Sequence, residues 1–156
     1  MTTGTTTVNK NILVAVDDSE NAERAVQYVA GLLGSLPGFR VTIVSIVSAP
    51  PEDYFASEEE RHTWVRDEQA KADRVLDRSR KILLTSGFDD RDVSTRSVVK
   101  VCPSVGECIL ELQKELGCGT VVVGRRGISK KEEFIFGSTS SKILHAARNC
   151  SVWAIA

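Results

Sequence analysis

Hydrophobic positions along this chain switch repeatedly between a near-continuous pattern and a helical one. Asn11 to Asp17, NILVAVD, is almost wholly apolar, as expected of a strand buried on both faces of a parallel sheet. Ser19 then offers an N-cap, and Ala22, Ala25, Val26, Val29, Leu32 and Leu33 recur at helical spacing until Pro37-Gly38. Val41 to Val47, VTIVSIV, is rich in β-branched residues and predicts a second strand. A polar connection with a Pro pair follows. Ser57 and Glu60 have capping-box spacing and open a long charged helix to about Ser86, with Ala72, Val75, Leu76, Ser79, Ile82 and Leu83 as its apolar stripe. Gly87 is placed to stop it.

Val93 to Val101 predicts a third strand, less buried than the others. Ser104 with Glu107 caps a helix to Leu116, TVVVG is a fourth strand, Ser138 to about Arg148 a last helix, and SVWAIA a short fifth strand. Strands alternating with helices of this length predict an α/β fold: βαβ units, a parallel sheet and right-handed crossovers. The division is a flexible polar tail over 1–10 and one domain over 11–156.

Composition narrows the class. Of the 156 residues 42% are hydrophobic and 26% charged, which is globular rather than disordered. A net charge of -1 lacks the basic excess of a dedicated nucleic-acid binder, so no nucleic acid is expected. The Thr-rich start MTTGTTTVNK has no apolar core of a secretory signal, and no run approaches the ~18 apolar residues of a membrane span. The expectation is a soluble, cytoplasmic protein without a membrane partner. Cys102, Cys108, Cys118 and Cys150 show neither C-x-x-C pairing nor zinc-like spacing to histidine, and predict buried thiols with no disulfide.

The candidate chemistry lies where strands end, since ligands of open parallel sheets bind beyond the carboxyl ends of strands. Strand one ends in Asp17-Asp18. Strand four ends in GRRGISKKEEFIFGSTSS, a connection about twice the usual length that carries three glycines and five hydroxyl residues. Gly124 and Gly127 let a ligand meet the backbone without a Cβ, and Gly137 precedes Ser138-Thr139-Ser140-Ser141 at a helix N-terminus, where free N–H groups suit an anion. It is neither a Walker A loop nor the G-x-G-x-x-G fingerprint. Generic spacing leaves two readings open, a Gly-flanked loop with a Ser cap or a phosphate cradle.

The order Gly124, two residues, Gly127, nine residues, Gly137, Ser138 resembles the G-x2-G-x9-G-[ST] signature of the universal stress protein family. ILVAVDDSENAERAV, VTIVSIV and the VVVG lead-in resemble that family too, so the likeness spans Asn11 to Ala156. The resemblance implies an open five-stranded sheet in the order 3-2-1-4-5 with helices on both faces, as in adenine-nucleotide alpha-hydrolase-like folds. It implies ATP across the crevice between strands one and four. Ala15 and Val16 would line the adenine slot, Ile46 would form its wall, and Asp17 would meet the ribose and adenine. Gly124, Arg125, Gly127, Gly137, Ser138, Thr139 and Ser140 would serve the phosphates. Ala15 stands where some relatives carry proline, Ser151 replaces the proline common before the last strand, and Glu132 and Glu133 put negative charge into the phosphate loop.

Phosphoryl transfer needs a positioned metal and an oriented nucleophile. Asp17 could hold Mg²⁺ only through water, no second carboxylate is placed by sequence, and His62 and His145 read as structural. The leading expectation is therefore an ATP-binding regulatory or stress-response module. The alternatives are a slow ATP hydrolase or phosphotransferase, and a dimeric interaction module of the same fold without nucleotide. Strand 151–156 is short, apolar and terminal, and predicts a homodimer. The connection 48–57 is long enough to fold over a ligand.

Overall fold

The computed structural model describes residues 7–125 and 138–156, the Ser138 side chain excepted. β1 (Asn11–Ala15), α1 (Glu20–Leu33), β2 (Arg40–Ser48), α2 (Glu58–Thr85), β3 (Val93–Lys100), α3 (Val105–Leu116), β4 (Thr120–Gly124), α4 (Ser138–Ala146) and β5 (Ser151–Ile155) follow one another in chain order. The five strands are all parallel and ordered β3-β2-β1-β4-β5.

Alternation along β1 sets the two layers. Ile12, Val14 and Val16 pack with Val26, Val29, Val75, Leu76 and Leu83 of α1 and α2. Leu13 packs on the other side with Ile109, Leu112 and Ile143 of α3 and α4. Each face of the central strand thus removes its own apolar set from water, at ~25 cal/mol per Å² of buried area.

Helix ends follow their capping residues. Ser19, Ser57 and Ser104 each accept from the backbone N–H three residues on, at 3.1, 3.1 and 3.2 Å. Glu60 reaches back past the cap to accept from Ala56 N at 3.0 Å, whereas Glu107 pairs with Lys142 at 3.0 Å. Such caps contribute ~1 kcal/mol each. Gly117 stops α3 in the left-handed region, φ 64, with Cys118 N donating to Gln113 O.

Three expectations shift in detail. β1 ends at Ala15 rather than Asp17: Val16 N still donates to Val44 O, after which Asp17 Oδ1 accepts from Ser19 N and the chain turns toward α1. α4 ends at Ala146 rather than Arg148, because Asn149 takes φ 57 and reverses the chain into β5. Leu32 is 48% exposed, not core, because adjacent helical residues point about 100° apart and Leu33 takes the inward position.

The cysteine expectation is corrected. Cys102 and Cys108 form a disulfide with Cα atoms 6.2 Å apart, whereas Cys118 is buried and Cys150 half-buried as free thiols. Cys102 lies two residues before the N-cap of α3 and Cys108 in the first turns, so the cap turn folds one back against the other. A C-x5-C spacing carries no motif that announces this. Among the described residues no helix is long and apolar enough to cross a membrane.

Candidate functional site

Parallel strands joined by right-handed crossovers put every helix N-terminus at the carboxyl edge of the sheet. At that edge β1 and β4 diverge, because their pairing stops at Ala15 and Val123. The space between them is a cleft of ≈ 210 Å³. Its floor is Ala15, Val16 and Val123, and Ile46 of β2 stands beside it. Val105 and Ile109 of α3 form one wall. Ser19 and Ala22 at the start of α1, with Gly124, form the other. Asp17 and Thr139 supply polar groups at the rim.

Of the residues singled out from sequence, Ala15, Val16, Asp17, Ile46, Gly124 and Thr139 line this one cleft. Ser140 does not line it and is 2% exposed. Arg125 is tied by its backbone, donating N–H to Ile155 O at 2.6 Å and accepting from Asn21 Nδ2 at its carbonyl. Gly127, Gly137 and the Ser138 side chain lie outside the described residues.

Ser19, Ala22, Val105, Ile109 and Val123 join the lining without having been singled out. The cap assignments held the missing signal. A Ser N-cap after a parallel strand fixes the next helical turn at the carboxyl edge, and that rule alone would have nominated Val105.

Gly124 answers first to the fold. A Cβ there would stand 2.5 Å from the carbonyl carbon and oxygen of Asn21 and 2.7 Å from Ala22 N, all backbone atoms of α1. Glycine at this strand end therefore lets α1 close onto β4.

Asp17 and Asp18 face different work. Asp17 lines the cleft, with one carboxylate oxygen bonded to Ser19 N. Asp18 pairs with Arg78 of α2 at 2.8 Å, both side chains well exposed, an arrangement worth ~0–1 kcal/mol. His62 sits beside Glu58 on the surface of α2, and His145 Nδ1 lies 2.9 Å from Ser141 O on α4; neither lines the cleft. Among the described residues no three His, Cys, Asp or Glu side chains cluster to hold a metal. In the 48–57 connection Phe55 packs its ring on Trp64 of α2, 5.8 Å between centroids, and none of the connection's residues lines the cleft.

An open cleft between β1 and β4 of a 3-2-1-4-5 sheet, with an acid at the end of β1, coincides with a family model described as the universal stress protein family, matched over residues 9–156. The chain belongs to the universal stress protein family. Among solved structures, hypothetical protein MJ0577, whose biochemical function was assigned from structure, matches with a TM-score of 0.77 at 22% identity, covering 96% of each chain. The universal stress protein from Archaeoglobus fulgidus in complex with dAMP matches with a TM-score of 0.62 at 20% identity, over 96% of this chain and 100% of that one. A universal stress protein in complex with cAMP matches with a TM-score of 0.69 at 17% identity, over 96% of this chain and 98% of its own. At these identities the likeness is one of fold. A search of curated proteins finds no match.

Proposed function

We propose that this family member binds ATP in the β1–β4 cleft and that occupancy, rather than turnover, is what it signals. The carrying observation is the donor set of the cleft. Apolar surfaces of Ala15, Val16, Ile46, Val105, Ile109 and Val123 flank a narrow space whose rim holds a carboxylate and a hydroxyl. Apolar walls suit the faces of a purine, and the second carboxylate oxygen of Asp17 suits a ribose hydroxyl or the adenine amine. At ≈ 210 Å³ the cleft is smaller than the ~300–1,000 Å³ of pockets that enclose whole drug-sized ligands, so it fits the nucleoside end.

The phosphates would then pass Gly124 toward Thr139 and the N-terminus of α4, where the helix dipole favours an anion. In the sequence, Gly127, Gly137 and Ser138 complete the motif spacing, with Arg125 and Ser140 adjoining its glycines and hydroxyls. The relatives in complex with dAMP and cAMP carry the same base as ATP, which supports the reading. Mg²⁺, where it accompanies the nucleotide, would reach the chain through water on Asp17.

Protein purified from cells and then denatured is expected to release ATP, and calorimetry is expected to show saturable ATP binding to the stripped protein. No nucleotide in the supernatant and no heat at millimolar ATP would overturn the proposal. Phosphate release in the presence of Mg²⁺ at a rate above background would replace occupancy by slow hydrolysis.

The same reading includes a homodimer through β5, formed in the cytoplasm. Among the described residues β5 pairs with β4 on one side only, and Val152, Trp153, Ala154 and Ile155 are half-buried. Tyr28 lies edge-on to Trp153 at 6.2 Å and is itself 49% exposed, so the apolar strip continues onto α1. An unpaired terminal edge of this kind pairs readily with a second copy. Sedimentation at tens of micromolar is expected to give a dimer; a single monomeric species would count against it.

A further inference from the structure

We propose that Cys102 and Cys108 are a reversible thiol–disulfide site that sets the position of the first turns of α3, and with them one wall of the cleft. Three placements carry this. The bond joins the β3–α3 connection to the first turn of α3, across the N-cap Ser104. Val105 and Ile109, which flank Cys108 on the helix, are the residues that wall the cleft. Cys108 itself lines a second hollow behind the helix, shared with Ile46, Val98 and Leu112, so Ile46 touches both spaces.

The movement has a path onward. Gly106 packs so closely on α4 that a Cβ would lie 3.0 Å from Lys142 Cβ and 3.2 Å from Thr139 O. Glu107 and Lys142 add an ion pair at 3.0 Å across the same contact. The N-terminal turns of α3 thus touch the residue that lines the far rim of the cleft. A cross-link over a short loop restricts the conformations open to that loop, and its removal restores them.

The two sulfurs differ in access. Cys102 is half-buried at the mouth of the connection, while Cys108 is 3% exposed. Cys102 is therefore the attacking thiol, and Cys108 the resolving one. The oxidant is a small-molecule disulfide of the glutathione class. Cys102 gives up its proton, and its thiolate Sγ bonds to one sulfur of that disulfide. The small molecule's S–S bond breaks, and one small thiolate departs with the electron pair and takes up a proton. Cys108 then gives up its proton and its thiolate attacks Cys102 Sγ, expelling the second small thiolate, which takes up a proton. Two cysteine thiols are oxidised to one disulfide, and one small disulfide is reduced to two thiols. Cys118 and Cys150 supply an internal contrast, because burial pushes both thiols above the ordinary cysteine value and leaves them poor nucleophiles.

The test uses the full chain equilibrated in glutathione disulfide or in reduced glutathione, then acid-quenched, denatured and alkylated. Mass analysis is expected to count two alkylated cysteines in the first buffer and all four in the second. Amide exchange over 104–109 is expected to rise about tenfold on reduction, with α1 unchanged. Cys102→Ser should exchange at the reduced rate in both buffers. Four reactive thiols in both buffers, a lasting glutathione adduct on Cys102, or equal protection in the two states would overturn the site.

The effect on ligand rests on the nucleotide reading above. ATP affinity is expected to fall about tenfold on reduction in the native chain and to be insensitive to reductant in Cys102→Ser. Equal affinity in both states would overturn the coupling. No ATP binding in either state would be a failure of the nucleotide reading, and the thiol count and exchange rates would still decide the redox site.

Discussion

Gly124→Ala is expected to destabilise the protein by about 3 kcal/mol, the upper end of the ~1–3 kcal/mol cost of overpacking. The added methyl group has nowhere to go. Its nearest neighbours are the carbonyl group of Asn21 and the amide of Ala22, at 2.5 to 2.7 Å, and both belong to the backbone of the first turn of α1. A flexible side chain could swing aside, but a helix start cannot do so without moving the helix. Gly124 is not among the glycines with positive φ, so the penalty is steric rather than torsional. For a chain of this length the loss corresponds to a fall in Tm of about 6–12 °C. Urea unfolding followed by circular dichroism measures it directly. A midpoint within error of the native chain would show that α1 can retreat from β4 at little cost, and would return Gly124 to a ligand-facing role.

That prediction bears on how the proposed nucleotide site is probed. Because α1 contributes Ser19 and Ala22 to the cleft, Gly124→Ala would weaken ligand binding through packing alone. The informative variant approaches from the other wall. Val105→Trp is expected to reduce ATP affinity at least about a hundredfold, a loss of ~2.7 kcal/mol. Val105 is the first residue of α3, half-buried, and borders the ≈ 210 Å³ cleft; an indole there fills the space that a base would need. The unfolding midpoint should stay close to native, since the added ring enters an open cleft rather than a packed core. Calorimetric titration of both proteins settles the matter. An ATP Kd within threefold of native would remove the β1–β4 cleft from the binding site.

Element types were legible because β1 and β4 are near-continuous apolar runs, β2 is rich in β-branched residues, and three helices open on a serine whose hydroxyl caps the backbone. What the runs do not encode is where pairing stops. The apolar run reads on to Asp17, yet β1 ends at Ala15, and the two residues beyond it, Val16 and Asp17, line the cleft. Leu32 fits a helical period and is exposed, because a period marks a face only to within a residue. The sheet order came from the likeness to a family, not from hydrophobic spacing.

At the site, the strand-borne residues were readable and the helix-borne wall was not. Ala15, Val16 and Asp17 adjoin in sequence, whereas Val105 and Ile109 reach the cleft by a crossover that only topology specifies. The Cys102–Cys108 bond was invisible for a related reason. Its closure depends on a cap turn that brings residues six apart within 6.2 Å at Cα, and an extended connection of the same sequence would hold them too far apart.

The position of β1 in the sheet has a consequence for the order of assembly. Ile12 pairs with Val41 on one side and with Thr120, roughly a hundred residues later, on the other. As the chain leaves a ribosome, β1, β2 and β3 with their two helices emerge while β4 is still unmade. The cleft does not exist at that stage, because one of its two bounding strands is missing. A ligand that occupies it adds its binding free energy to the finished molecule alone and none to the nascent half. Under the proposed nucleotide reading, nucleotide supply would then influence how much of each newly made chain survives its last folding step.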